Sequence, residues 1–175
     1  MDIKKKLELY LEQHIQKTSL LKGVFYKIRK PFLEEEDYYE AEMSSTYDRS
    51  NANINEFIMS HKEEDTFQTK LFHFIDDRNL KDSDVYNKAG IDRRLFSKIR
   101  GNKEYHPSKE TVILLGLALE LSELEIEDLL ESASYSLPMN STYDLIIRFC
   151  FKEHIYDVNQ LNEFLYEHKC KTINM

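Results

Sequence analysis

The stretch of residues 80–121 constrains the fold most, because three helical patterns follow one another there with little room between them. In the first pattern Val85 and Ala89 are spaced to face inward. Gly90 follows, and glycine is the residue best suited to a left-handed turn. Asp92 can then cap a second helix, because its carboxylate can accept amide hydrogens of the first turn. The order predicts two short helices joined by a tight turn.

The second predicted helix has an apolar underside and a basic outer surface. Phe96 and Ile99 are three residues apart, which is typical of one buried helix face. Polar and mostly basic residues occupy the rest of the helix and the positions just after it: Arg93, Arg94, Ser97, Lys98, Arg100 and Lys103. A pair of short helices of this kind is typical of a helix-turn-helix, in which the second helix enters a groove of DNA.

The order of these elements resembles the phage-repressor (Xre-type) helix-turn-helix family over roughly residues 66–135. In that family a Gly-Ile pair and a capping residue precede a basic recognition helix, as Gly90-Ile91 and Asp92 do here. A Pro-Ser pair then opens an apolar helix, here Pro107-Ser108. The phrase IDRRLFSKIR also resembles a C-terminal helix-turn-helix module of uncharacterised bacterial proteins. The resemblance implies an all-α, lambda-repressor-like bundle, with extra C-terminal helices and an N-terminal appendage here.

The resemblance also implies a function and a set of contact residues. The chain would be a DNA-binding regulator of bacterial or phage transcription, with double-stranded DNA as its partner and a homodimer as its assembly. Four side chains would face base edges or phosphates, and two more would hold the DNA backbone. The first group is Arg93, Arg94, Ser97 and Lys98, and the second is Arg100 and Lys103.

Two positions depart from the family pattern and leave a second function open. Where the family usually has a glutamine that touches a DNA phosphate, this chain has Asp82. Where a small residue usually lies against the recognition helix, it has Tyr86. A carboxylate repels a phosphate, so the fold can be kept while DNA binding is lost. The alternative is therefore a protein-interaction adaptor with a helix-turn-helix fold.

The charge of the chain is acidic overall but unevenly distributed. The formal net charge is −8, which argues against indiscriminate binding to nucleic acid. Residues 66–110 hold ten basic and seven acidic residues, whereas residues 111–175 hold four and eleven. Five of the basic residues lie between Arg93 and Lys103. The predicted recognition surface is therefore basic, although any solvated helix can also collect lysine and arginine.

Composition and periodicity divide the chain into four predicted segments. Residues 1–33 form a basic segment whose first half is an amphipathic helix that either docks on its own domain or lies on a membrane or nucleic acid. Residues 34–65 read as an acidic, polar linker, in which metal binding by six carboxylates is the weaker alternative and a short helix is expected at 55–61. Residues 66–135 are the helix-turn-helix domain, and residues 136–175 form a helical extension.

The extension and the central helix carry the predicted core. The apolar run VILLGLALEL predicts a buried helix with Leu115 and Leu119 inside. Ser122 followed by Glu125 is a capping-box signature for the next helix. Further helices are expected at about 141–152 and 158–168, the second with Asp157 as its cap. The apolar faces of the N-terminal helix and of the last helix exceed what five helices need, and this surplus predicts a dimer. Their members are Ile3, Leu7 and Leu11 at one end and Val158, Leu161 and Leu165 at the other.

Several other classes of function find little support in the residues. With four glycines the chain has no phosphate-binding loop, and its serines lack the flanking glycines of an activated nucleophile, so no enzyme and no cofactor are expected. The spacing of His154, His168, Cys150 and Cys170 matches no zinc site. No apolar run of about 18 residues predicts a membrane span. Two cysteines fit a reducing cytoplasm, and Phe25 and Tyr26 near basic residues either stack bases or pack in a core.

Overall fold

The structure is a computed structural model that describes residues 2–15, 54, 66–103 and 105–173. The basic positions from Lys17 to Lys30, the aromatic pair Phe25-Tyr26, the linker at 34–65 apart from Ile54, and the expected helix at 55–61 lie outside the described residues. Within the described ranges all regular secondary structure is helical, which confirms the all-α prediction for this part of the chain.

The described residues form eight helices. Their bounds are α1 at residues 3–15, α2 Phe67–Asp77, α3 Asp82–Lys88, α4 Arg93–Gly101, α5 Lys109–Ala118, α6 Glu123–Ser132, α7 Thr142–Lys152 and α8 Val158–Glu167. The last two confirm the helices predicted from periodicity at about 141–152 and 158–168. None of these helices is long and apolar enough to cross a membrane.

Most helices begin at a residue whose side chain accepts a hydrogen bond from the first turn. The caps predicted at Asp92, Ser122 and Asp157 are all present, and Ser122 forms a reciprocal capping box with Glu125. Ser108 caps α5 directly after Pro107, as the Pro-Ser start predicts. These caps satisfy amide groups that have no partner inside the helix, so they define where each helix starts.

Six helices end in the same way, with one residue in the left-handed region. The residues with positive φ angles, between 51° and 64°, are Asn79, Gly90, Glu120, Ser134, His154 and Lys169. At each end the amide of the following residue donates to a carbonyl five residues earlier, as from Leu80 N to Ile75 O at 3.1 Å. This is the Schellman arrangement, which usually takes glycine at the left-handed position. Five of these six helix ends use a residue other than glycine at the left-handed position. A chain with four glycines can therefore still end many helices in this way.

Helix α5 lies at the centre of the core. Every residue from Val112 to Leu119 is buried, which confirms the expected burial of Leu115 and Leu119. Gly116 faces α6 so closely that a Cβ atom there would lie 2.5 Å from Ile126 Cδ1. The near absence of a polar face on α5 follows from this position, because other helices cover it on several sides.

Helix α1 packs on the C-terminal helices. Leu7 and Leu11 are buried, and the Tyr10 ring lies 5.4 Å from the Phe149 ring. Lys4 Nζ lies 2.7 Å from a carboxylate oxygen of both Glu163 and Glu167 on α8. The docked interpretation of this helix is confirmed, and residues 2–15 belong to the same compact unit as the described residues from 66 onward. The domain limits at residues 33, 65 and 135 stay predictions.

This docking changes the argument for a dimer. Leu7 and Leu11 of α1 and Val158, Leu161 and Leu165 of α8 are all buried within one chain, and Ile3 is half-buried against the same core. The two apolar faces thus have partners inside the molecule. They provide no surplus apolar surface for a second copy.

Candidate nucleic-acid interface

Helices α3 and α4 are joined by a tight turn that brings them into contact. Ala89 ends α3 with its side chain fully buried, and Gly90 follows with a φ angle of 64°. The amide of Ile91 donates to the carbonyl of Tyr86 at 3.0 Å, and the Ile91 side chain packs against the core. Glycine has no Cβ atom and adopts this φ angle without the strain of other residues, so it suits the turn.

Asp92 and two buried side chains determine how α4 is presented. The carboxylate of Asp92 accepts a hydrogen bond of 2.6 Å from the amide of Arg94, so the helix starts at Arg93. Phe96 and Ile99 are 3% and 1% exposed, which confirms that they form the underside of α4. The Phe96 ring lies 5.7 Å from the Tyr86 ring of α3. The opposite side of α4 is consequently turned to solvent.

Five of the six predicted contact residues lie on α4 and are exposed, and the sixth, Lys103, is exposed just after the helix. Each of the following is exposed: Arg93, Arg94, Ser97, Lys98, Arg100 and Lys103. Helix α4 contains no aspartate or glutamate, so all charged side chains on its exposed surface are cations. Lys103 comes two residues after the end of the helix. The predicted exposure is confirmed, and the role in DNA binding stays a prediction.

Arg100 is held by three neighbours that come from other parts of the chain. Its Nη2 atom lies 2.6 Å from Oδ1 of Asp82 at the start of α3. Its guanidinium carbon lies 4.0 Å from the centre of the Phe72 ring of α2. Gln68 of α2 donates a hydrogen bond to the Arg100 carbonyl oxygen. The side chain of Arg100 is still 52% exposed, so one side of the guanidinium remains accessible.

Lys98 also rests on an aromatic ring. Its Nζ atom lies 4.6 Å from the centre of the Tyr105 ring, and this distance is typical of a cation–π contact. Tyr105 is half-buried just beyond α4. Sequence reasoning missed Phe72 and Tyr105, because each is an ordinary aromatic residue, one within α2 and one after the end of α4. Only their placement beside Arg100 and Lys98 gives them a role at this surface.

An open cleft of about 510 Å³ separates α3 from α4 on the same side. Its walls are Lys81, Asp82, Ser83, Tyr86, Arg93, Phe96, Ser97 and Arg100. They include three cations and one carboxylate, and the carboxylate is the one paired with Arg100. Tyr86 is half-buried, and its ring packs on the Phe96 ring. The contact between α3 and α4 therefore accommodates a tyrosine at its edge. The cleft is chemically suited to an anionic group.

The histidine and cysteine positions considered for a metal have other roles. Cys150 is fully buried, and Nδ1 of His168 lies 2.8 Å from the carbonyl oxygen of Phe164. His154 Nδ1 lies 2.9 Å from the hydroxyl of Tyr156. No group of three or more His, Cys, Asp or Glu side chains within the described ranges is placed to hold a metal ion.

The exposed basic face of α4 and the neighbouring cleft together form the candidate interface. Several cations lie there above an apolar underside, so its charge is complementary to that of a polyanion. Comparison with protein-family models, with curated proteins and with solved structures finds no match to this chain.

Proposed function

We propose that the protein is a DNA-binding regulator of bacterial or phage transcription, in which α3 and α4 form a phage-repressor-like helix-turn-helix. The main support for the proposal is that α4 has one buried apolar side and one exposed basic side. Phe96 and Ile99 are buried, while the exposed side holds four cations and no carboxylate. Such a helix can enter the major groove and keep its own domain intact behind it.

The contact residues keep the roles that the resemblance implies. Arg93, Arg94, Ser97 and Lys98 face base edges or phosphates, while Arg100 and Lys103 hold the DNA backbone. Arginine suits this task, because its guanidinium can donate two parallel hydrogen bonds to a guanine or to a phosphate. Exposure of all six side chains leaves them accessible to a duplex.

The charge distribution favours oriented binding over indiscriminate binding. The whole chain carries −8, so a phosphate backbone is repelled from most of its surface. Within the described residues the α4 surface is a local exception, since the helix holds four cations and no carboxylate. A duplex would therefore approach with that face first, and specific contacts would contribute most of the affinity.

A regulator of this kind is normally a dimer whose recognition helices lie about 34–36 Å apart, which matches one turn of DNA. We expect such a dimer, although the apolar faces of α1 and α8 are buried within the chain. Its interface would have to use other surface. Light scattering at micromolar concentration measures the assembly, and a monomer would leave each α4 with a small footprint and weak binding.

A second candidate function is a protein-interaction adaptor, and Asp82 is the observation that favours it. This carboxylate lies where the family places a phosphate-contacting glutamine, and its partner Arg100 is one of the two residues assigned to the DNA backbone. An adaptor would use the basic α4 surface to bind an acidic protein. Its binding would show no preference among DNA sequences.

The DNA proposal predicts a defined loss of affinity when the α4 cations are removed. Alanine at Arg93, Arg94 and Lys98 should abolish preferential binding to selected genomic fragments, because base-edge and phosphate contacts are lost together. Arg94→Ala alone should weaken specific binding by about 1–3 kcal/mol if Arg94 contacts a base edge. Fluorescence anisotropy at several salt concentrations measures both effects.

A control variant that loses three positive charges elsewhere distinguishes direct contacts with DNA from the effect of net charge on binding. Lys5, Lys152 and Lys169 are exposed and lie outside α4, on α1, at the end of α7 and just after α8. Their triple alanine variant should retain the sequence preference. Full affinity in the Arg93/Arg94/Lys98 variant would contradict the DNA proposal and leave the adaptor as the better choice.

A further inference from the structure

The ion pair between Asp82 and Arg100 joins α3 to α4 at the α3–α4 cleft, which both residues line. The two residues are 18 positions apart in the chain, and their charged atoms lie 2.6 Å apart. Their side chains are 38% and 52% exposed. An ion pair in contact with water contributes little net stability, because solvent screens the attraction and competes for both partners. The pair can therefore open for another anion at small cost.

The arginine is held in place independently of the aspartate. Its guanidinium lies over the Phe72 ring at 4.0 Å, and its backbone carbonyl is bound by Gln68. Removal of the Asp82 carboxylate would leave these two contacts intact. Arg100 would then stay at the cleft with its charge uncompensated, near Arg93 and Lys81.

We propose that Asp82 restrains phosphate binding at the cleft by occupying Arg100, so that it sets how strongly the α4 surface binds a DNA backbone. This inference rests on the proposed function and concerns the regulation of the same site. A DNA phosphate carries one negative charge and accepts the same guanidinium hydrogen bonds as a carboxylate. It must therefore displace Asp82 from Arg100 and overcome the repulsion of the displaced carboxylate.

Asp82 would therefore act on DNA affinity through Arg100, and the sign of its effect can be measured. Asp82 lowers nonspecific affinity for DNA, and sequence-specific contacts on the rest of α4 then determine where the protein binds. Neutralising Asp82 raises affinity for any duplex and reduces the ratio of specific to nonspecific binding. The role is exerted through Arg100 and requires no contact between Asp82 and a base.

The test compares Asp82→Asn with Asp84→Asn in the full chain. Asp84 is exposed and lies in the first turn of the same helix, but it lines a different cleft, beside Arg78 and Lys88. With a random duplex in 50 mM salt, Asp82→Asn should raise affinity roughly three- to tenfold, while Asp84→Asn should change it by less than about twofold. One additional phosphate contact should steepen the slope of log affinity against log salt by about 0.9.

The salt slope provides a readout that a merely structural role would not change. Because of the steeper slope, the gain in Asp82→Asn should fall about threefold between 50 and 200 mM salt. Asp82→Glu should restore most of the restraint, since it returns the carboxylate. Asp82→Ser serves as a second neutral variant, with the same expected gain, should Asp82→Asn fold poorly.

An Arg100→Gln background identifies the residue through which Asp82 acts. If Arg100 is the route, the gain from Asp82→Asn should disappear or shrink to less than about twofold in that background. An equal gain in both backgrounds would overturn the proposal, and so would unchanged or weaker binding by Asp82→Asn when the unaltered protein binds DNA. Absence of salt-dependent binding by the unaltered protein and all variants would instead overturn the proposed function together with this inference.

Discussion

At the scale of single residues, burial separates the two cysteines into different chemical classes. Cys150 on α7 is fully buried, and burial raises the pKa of its thiol to about 12. Cys170 is half-buried in the C-terminal segment, and burial raises the pKa of its thiol as well. The thiolate is the reactive form, so both thiols are slow nucleophiles at neutral pH and Cys150 is much the slower.

We therefore predict that a thiol reagent modifies one cysteine per native chain at pH 8. Cys170 should react first, because reagent can reach it and the protein need not unfold. Cys150 should react only when denaturant exposes α7. Mass spectrometry of iodoacetamide-treated protein measures the order, with Cys170→Ser as the control that removes the first reaction. Equal rates at both cysteines in native protein would contradict the burial of Cys150.

At the scale of helices, several C-terminal ends depend on a residue with an unfavourable backbone conformation. Five non-glycine residues adopt positive φ angles of 51° to 59° at helix ends. An L-residue in this region is disfavoured by roughly 1–2 kcal/mol, because its Cβ atom approaches a carbonyl oxygen. The backbone amide of the residue that follows each one, such as Leu80 or Leu121, donates to a carbonyl of the preceding helix and stabilises the end.

This geometry predicts that glycine stabilises the protein at Ser134. Ser134 has a φ angle of 59° and is exposed at the end of α6. Ser134→Gly should raise the free energy of unfolding by about 0.5–1 kcal/mol, since the relief of strain exceeds the added entropy of the unfolded chain. Denaturant titration followed by circular dichroism measures the change.

Ser136 is the matched control for that substitution. It is exposed two residues further on and does not have a positive φ angle. Ser136→Gly should leave stability unchanged or lower it slightly. A loss of stability in Ser134→Gly would mean that the end of α6 is stabilised by contacts of the serine side chain.

At the scale of the whole molecule, the first helix completes the core built by the last ones. The buried side of α1 meets α7 and α8, and Lys4 bridges to two carboxylates of α8. Residues near the two ends of the sequence thus share one core cluster with α5. We expect a single cooperative unfolding transition for this unit, because separating any of its helices from the others would expose apolar surface.

Two leucines on α1 provide a matched test of this docking. Leu7 is 1% exposed and Leu9 is 42% exposed, although they lie on the same helix. Leu7→Ala should lower the free energy of unfolding by about 2–5 kcal/mol through lost burial and a residual cavity. Leu9→Ala should change it by less than about 0.5 kcal/mol. Similar small effects for both variants would show that α1 contributes little to the core in solution.

Much of the fold could be predicted because its signals are local in the sequence. Asp92, Ser122 and Asp157 cap helices because a short polar side chain reaches an amide only two or three residues away. Phe96 and Ile99 are buried together because the helical repeat places them on one face. The same local reasoning placed the exposed cations of α4 correctly, since they occupy what remains of the helix surface.

The sequence by itself thus determined helix positions, helix faces and the basic character of α4, whereas tertiary structure decided which faces meet. Nothing local pairs Asp82 with Arg100, or places Phe72 beneath that arginine. The apolar face of α1 is equally suited to a second copy and to α8, and packing within the chain selects α8. The physical reason is that hydrophobic burial has no direction of its own, so its partner depends on the arrangement of all the helices together.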